Sequence, residues 1–231
     1  MEKDKAPRLN KSALLKSLSG VVLVVLIVFV SAGKWMYWQG VLYIALTITI
    51  LIIVFLSVAD NRELINERLK PGKGIKSWDK AYWTLSTPLF FVSVILAALD
   101  SGRFHWSPDL PVYVYVIASV LYIAGNLMFA WARRTNNFFS SVVRIQKDRG
   151  HAVCQDGPYK YVRHPGYLGG LLYTFVTPLI LGSLWALIPT GVTVVLMLIR
   201  TGLEDKTLED ELEGYKEYKT KVKYRLIPYV W

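Results

Sequence analysis

Residues 166–199, GYLGGLLYTFVTPLILGSLWALIPTGVTVVLMLI, decide how this chain folds. They run for 34 positions without a charged side chain. As one helix this is about 51 Å at about 1.5 Å per residue, against about 30 Å of bilayer hydrocarbon. The run is too long for one crossing and short for two full ones. Gly182-Ser183 near its middle, with Pro178 and Pro189 on either side, predicts a hairpin of two short helices.

Working outward, four more charge-free stretches precede it: Ser17–Gly33, Trp35–Ala59, Ala81–Leu99 and Leu110–Ala132. Each is near the length of a single membrane span, and 53% hydrophobic residues is more than an ordinary soluble domain carries. The cations decide between one and two helices in the fifth stretch. With a hairpin, alternate connecting segments hold 25 and 2 of the 27 Lys and Arg. That is the asymmetry expected when both termini face the cytoplasm. With a single span, the cations of residues 200–231 would lie on the wrong side. The expected fold is an all-α polytopic membrane protein of about six membrane helices, with a short C-terminal helical hairpin and a cytoplasmic pocket. Residues 1–16 read as a basic tail, 17–132 as four N-terminal membrane helices, and 133–231 as the region that carries chemistry.

Several function classes fall away. A net charge of +10 is compatible with nucleic-acid binding. However, these cations are spread over the inner segments rather than gathered on one face, and attraction to anionic membrane lipid accounts for them. Cys154 is alone, so neither an internal disulfide nor a multi-cysteine metal site is available. His105, His151 and His164 have no metal-ligand spacing. No P-loop, nucleophile elbow or dinucleotide glycine fingerprint is present. Val30-Ser31-Ala32 imitates a signal-peptidase site, but the long lead-in and the Lys34-Trp35 flank favour a first span.

The chemistry-bearing residues gather in the C-terminal half. Gly157-Pro158-Tyr159-Lys160-Tyr161-Val162-Arg163-His164-Pro165-Gly166-Tyr167 places three Tyr, an Arg and a His at the mouth of a membrane segment, where such groups are costly unless they bind something. A plainer reading of His164-Pro165 is a helix start with proline at its first position. Arg200 and Glu204, four residues apart, share a helix face and by themselves predict a surface ion pair. Asp205 and Glu209, also four residues apart, lie on a neighbouring face, and Asp210, Glu211 and Glu213 read as a solvated run. Residues 203–221 read as one charged helix, with Leu203, Leu208, Leu212, Tyr215 and Tyr218 at helical spacing. Residues 60–80 read as a short amphipathic element in a solvated setting, ended by Pro71-Gly72.

The ordered combination is more informative than its parts. Gly-Pro-Tyr-x-Tyr-Val-Arg-His-Pro-x-Tyr-x-Gly comes first, followed by a hairpin and Arg-x-x-x-Glu-Asp. Gly214-Tyr215-x-x-Tyr218 and Tyr224-Arg225-Leu226-Ile227-Pro228 complete the set. Over about residues 125–231 this resembles the isoprenylcysteine carboxyl methyltransferase family, integral membrane enzymes that use S-adenosylmethionine. The resemblance implies a cofactor pocket holding His151, Ala152, Val153 and Cys154, the loop tyrosine Tyr159, and His164, Pro165, Gly166 and Tyr167. It implies that Glu204 contacts the cofactor and that Arg200 meets the acceptor carboxylate. Two positions depart from the family pattern. Glu204-Asp205 stands where a double Glu is usual, and Arg144, with Gln146 two residues on, falls where some members have a cofactor-contacting Gln.

The chemistry suits this set, since tyrosine faces can support a sulfonium and methyl transfer to an ionised carboxylate needs alignment and a dry site. The acceptor would be a lipophilic or prenylated molecule reached through the bilayer. An amine or thiol acceptor, including a phospholipid amine, would need a base, for which Glu204 or Asp205 is placed. The C-terminal Tyr-Arg-x-Ile-Pro-Tyr pattern also resembles NADPH-dependent membrane sterol reductases, which are longer and have more spans. A third reading is a binding protein that keeps the fold without the chemistry.

Overall fold

The structure is a computed structural model that describes residues 11–56, 61–69 and 71–231. The described residues are helical or irregular, with no strand among them. Long apolar runs make α1 (Lys11–Ala32), α2 (Trp38–Leu56), α4 (Ser77–Ala97) and α5 (Val112–Thr135), with the short surface helix α3 (Arg62–Leu69) between α2 and α4. α4 continues as a π-helical stretch, Ala98–Phe104. The C-terminal half adds α6 (Pro165–Ile180), α7 (Leu187–Glu211) and α8 (Tyr215–Lys221).

Among the described residues, four segments are long and apolar enough to cross a membrane: Trp38–Leu56, Ser77–Phe104, Val112–Thr135 and Leu187–Glu211. Val22, Leu26, Ile52, Leu85, Val116 and Ile188 point outward from the bundle, the side a bilayer would cover. Small residues and tyrosines, among them Ala32, Tyr43, Ala97, Ala118 and Tyr122, fill the centre.

The expected hairpin is present but unequal. α6 has 16 residues and α7 has 25. α7 does not stop where the charge-free run ends; it carries on through Arg200, Glu204 and Asp205, because Arg200 and Asp205 are ion-paired inside the protein and Glu204 accepts from Tyr167. Gly182 turns the chain with φ +78°, and the Ser183 N–H donates back to the Pro178 carbonyl at 2.9 Å. The element expected over 203–221 is two helices broken at Leu212–Gly214. The basic tail expected over 1–16 also differs, since α1 starts at Lys11, while residues 1–10 lie outside the described residues.

α5 and α6 are the closest pair. A Cβ on Gly125 would lie 2.8 Å from the Gly169 carbonyl, and one on Gly169 would lie 2.8 Å from the Phe129 nitrogen. The glycines therefore serve close backbone packing.

The two ends of the bundle differ. At one end, Asp100 is fully buried and accepts from the Ser107 N–H at 2.6 Å and from the Ser107 and Ser183 hydroxyls. A buried carboxylate so satisfied closes that end. At the other end, α3, the loop 136–164 and α8 surround a cavity.

Candidate active site

The cavity has a volume of about 260 Å³ and opens among α4, the loop, α6 and α7. His151, Ala152, Val153, Cys154, Tyr159, His164, Gly166, Tyr167, Arg200 and Glu204 all line it. Of the residues that the resemblance assigns to cofactor or acceptor, Pro165 alone is outside that lining. It starts α6, and the Tyr167 and Leu168 N–H groups donate to the His164 carbonyl behind it.

The loop is held by buried charge. Arg144, where a cofactor-contacting Gln was sought, is instead a structural post. Its Nε and Nη2 donate to Glu67 at 2.8 Å each, and its Nη1 donates to Asp148 at 2.7 Å. Its charge is locked on by these partners, and Glu67, although burial opposes its charge, sits below the ordinary carboxylate range. Glu67 and Leu64 of α3 are buried, so the segment expected to be solvated is packed against the loop. Gln146, also buried, donates from Nε2 to the Phe138 carbonyl at 2.7 Å. Its backbone N–H donates to His151 Nδ1 at 3.2 Å. The His151 ring packs on Phe138 at 4.7 Å. Burial, with Arg144 and Arg149 adding to it, pushes His151 down to about 4, so the ring is neutral and Nε2 carries the proton.

Burial raises the Cys154 thiol and the Tyr159 hydroxyl. Burial thus favours the protonated form of both. Tyr159 is fixed from behind by the Tyr218 hydroxyl, which donates to the Tyr159 carbonyl at 2.7 Å.

Arg200 and Glu204 are both at the cavity, but the surface ion pair expected from their spacing is absent among the described residues. Arg200 Nε donates to Asp79 of α4 at 2.7 Å and Nη2 to the Ser141 carbonyl at 3.0 Å. Its guanidinium is surrounded by the rings of Tyr82, Trp83 and Tyr167 at 4.6, 5.1 and 5.3 Å. Glu204 accepts from the Tyr167 hydroxyl and has no ion pair among the described residues. It is a carboxylate in an aromatic cavity with room for a cation.

Asp205 is different again. Its side chain is 1% exposed. It accepts from Arg163 Nε and Nη2 at 2.8 and 3.0 Å, the Tyr215 hydroxyl at 2.8 Å and Arg225 Nε at 2.9 Å. His164 Nε2 lies 3.1 Å away. With its lone pairs occupied, Asp205 has no capacity to act as the base considered for an amine or thiol acceptor; Glu209, one turn on, meets Lys219. His164 presents Nδ1, not Nε2, to any ligand. Arg163 Nη1 also donates to the Val222 and Lys223 carbonyls at 2.8 and 2.7 Å, tying the C-terminal segment to the loop.

Asp79, Tyr82 and Trp83 were missed in the sequence. The signal was an Asp in the first turn of an otherwise apolar helix, a position that helix-dipole stabilisation also explains.

Residues 113–213 match the family model described as phospholipid methyltransferase. The chain is 29% identical over 131 residues to the protein-S-isoprenylcysteine O-methyltransferase of Saccharomyces cerevisiae, covering 50% of this chain and 53% of that protein. It is 27% identical over 110 residues to the Schizosaccharomyces pombe protein of the same name, covering 48% and 41%. The chain thus spans about half the length of the curated relatives it matches. The matched segment runs from the start of α5 to just past α7 and supplies most of the cavity wall, so the similarity to phospholipid methyltransferases falls on the part of the chain that builds the cavity.

Proposed function

We propose that this protein is an integral membrane methyltransferase that uses S-adenosylmethionine to methylate the carboxylate of a lipophilic, prenylcysteine-like acceptor. The observation that carries the reading is Glu204. It is the cavity carboxylate left without a cation among the described residues, and it stands beside the tyrosine rings of α6 and the loop. An unpaired carboxylate facing aromatic surface is a receptor for an amine or sulfonium cation. The residues fit the cofactor in three further respects. The backbone at 151–154 offers polar groups along one wall, His164 Nδ1 is free, and the Tyr159 and Tyr167 rings are fixed.

When bound, S-adenosylmethionine supplies an electrophilic methyl group that an ionised carboxylate can take without a general base. The protein's own work is then positioning. Tyr167 holds Glu204 in place, Asp79 holds Arg200 in place, and the packed rings around Arg200 keep water from the acceptor end. Asp205, fully engaged, supports this arrangement by fixing Arg163 and His164. In this reading, residues 133–231 are the catalytic region and 17–132 the supporting membrane helices. In the same reading the cavity end faces the cytoplasm, as do the segments where the cations concentrate and both termini.

Calorimetry on the detergent-purified chain tests this, with Glu204→Ala and His164→Ala alongside. Micromolar S-adenosylmethionine binding, weakened at least about tenfold in Glu204→Ala, is expected for a charge-assisted contact. Binding of NADPH in its place would move the protein to the reductase class, and binding of neither would leave a fold without catalysis.

A further inference from the structure

The cavity wall around α3 carries more positive charge than its carboxylates answer. Arg200 faces Asp79 directly, and Glu204 is one turn along the same helix. Arg68, in the last turn of α3, lines the same cavity and has no carboxylate partner among the described residues. Its guanidinium lies 5.6 Å from the Phe139 ring centre, and its Nη1 makes only a long contact, 3.5 Å, to the Phe139 carbonyl. Arg133 of α5, close enough to feel the Arg68 charge, has a buried Nε with no partner. Burial and the nearby Arg200 disfavour the Arg68 charge. A half-buried guanidinium kept beside two others is costly unless an anion completes it.

Resting on the methyltransferase reading above, the geometry points to Arg68, not Arg200, as the main anchor for the anionic group of the acceptor, a carboxylate or a phosphate on an amphipathic molecule. Arg200 has its Nε committed to Asp79 and one Nη to Ser141. Its charge is largely answered, so it orients the acceptor without holding the nucleophile tightly. Arg68 sits on the helix between two membrane segments, so a lipid-soluble acceptor arriving there would meet it with its polar end toward the cavity. The site therefore selects for charge at the acceptor's head and is indifferent to the rest of the head.

The test uses the full chain in nanodiscs of zwitterionic lipid, as wild type, Arg68→Gln and Arg68→Lys. Two matched probe pairs are titrated: a farnesylcysteine carboxylate with its carboxamide, and a lysophosphatidate with the corresponding monoacylglycerol. In Arg68→Gln the affinity for the anionic members should fall about tenfold or more, with the neutral members unchanged. Arg68→Lys should recover part of the loss. The anionic probe that wild type binds more tightly identifies the source of the anion. Unchanged discrimination in Arg68→Gln, or a wild type that binds neutral and anionic members alike, would overturn the assignment. S-adenosylmethionine affinity, measured on the same samples, separates the two readings. Its absence in wild type counts against methyl transfer, whereas its retention in Arg68→Gln shows that the cavity is intact.

Discussion

Replacing Asp205 by Asn should destabilise the protein far more than replacing its neighbour Glu204 by Gln. The Asp205 carboxylate lies between two guanidiniums, from Arg163 and Arg225, and also accepts from Tyr215. Asparagine removes the negative charge and turns one acceptor oxygen into an NH₂ group that faces other donors. Breaking a buried ion pair by removing one partner costs about 3–5 kcal/mol, against a total of about 5–15 kcal/mol for a typical protein. At about 2–4 °C per kcal/mol for a chain of this size, the midpoint of thermal unfolding in detergent should fall by roughly 6–20 °C. The C-terminal segment should loosen first, since Arg163 also binds the Val222 and Lys223 carbonyls and its N–H donates to the Tyr224 carbonyl at 2.9 Å. Limited proteolysis should therefore cut near residue 223 in the variant and not in wild type. Glu204→Gln has one side-chain partner to lose, so its midpoint should move by only a few degrees while cofactor affinity drops. Equal melting of Asp205→Asn and wild type would refute the reasoning, as would a Glu204→Gln loss as large as that of Asp205→Asn.

Two further outcomes follow from packing and titration. Gly169→Ala should cost about 1–3 kcal/mol, because its Cβ would press on the backbone of α5 at Gly125 and Phe129. Gly170→Ala should be close to neutral, because its nearest neighbour is the flexible Met197 side chain, with sulfur at 3.4 Å; thermal unfolding of the pair checks the contrast. His151 is pushed down to about 4 from an ordinary 6.5, so between those values the unfolded chain binds the proton that the folded loop refuses. Stability should be level above about pH 6.5 and fall as the pH is lowered toward about 4. His151→Asn should flatten that part of the pH–stability curve, and an unchanged slope in the variant would assign it to another group.

What the sequence made legible is what local pattern encodes. Apolar run length identified the helices, and the 25-to-2 cation asymmetry identified the hairpin. The ordered motif from Gly157 to Tyr167, with Arg200 and Glu204, identified most of the cavity lining. What stayed illegible is pairing across the chain. Arg200 and Glu204 share a helix face, so spacing alone made them partners. In the fold, Arg200 is drawn to Asp79, 121 positions away, because α4 and α7 pack side by side and burial penalises any guanidinium left without an anion. The same physics accounts for Asp205, which spacing placed only on a face next to that of Arg200 and Glu204. A carboxylate four residues from another acid carries no local sign that two arginines, 42 positions before and 20 after, will close over it. It also accounts for the length of α7. A helix read by hydropathy should end where charge begins, yet this one continues because its charged residues are the ones that organise the cavity. The charged positions at the end of the apolar run were thus the least predictable from pattern for the reason that lets them shape the cavity. Their partners are set by the packing of distant helices and not by their neighbours in sequence.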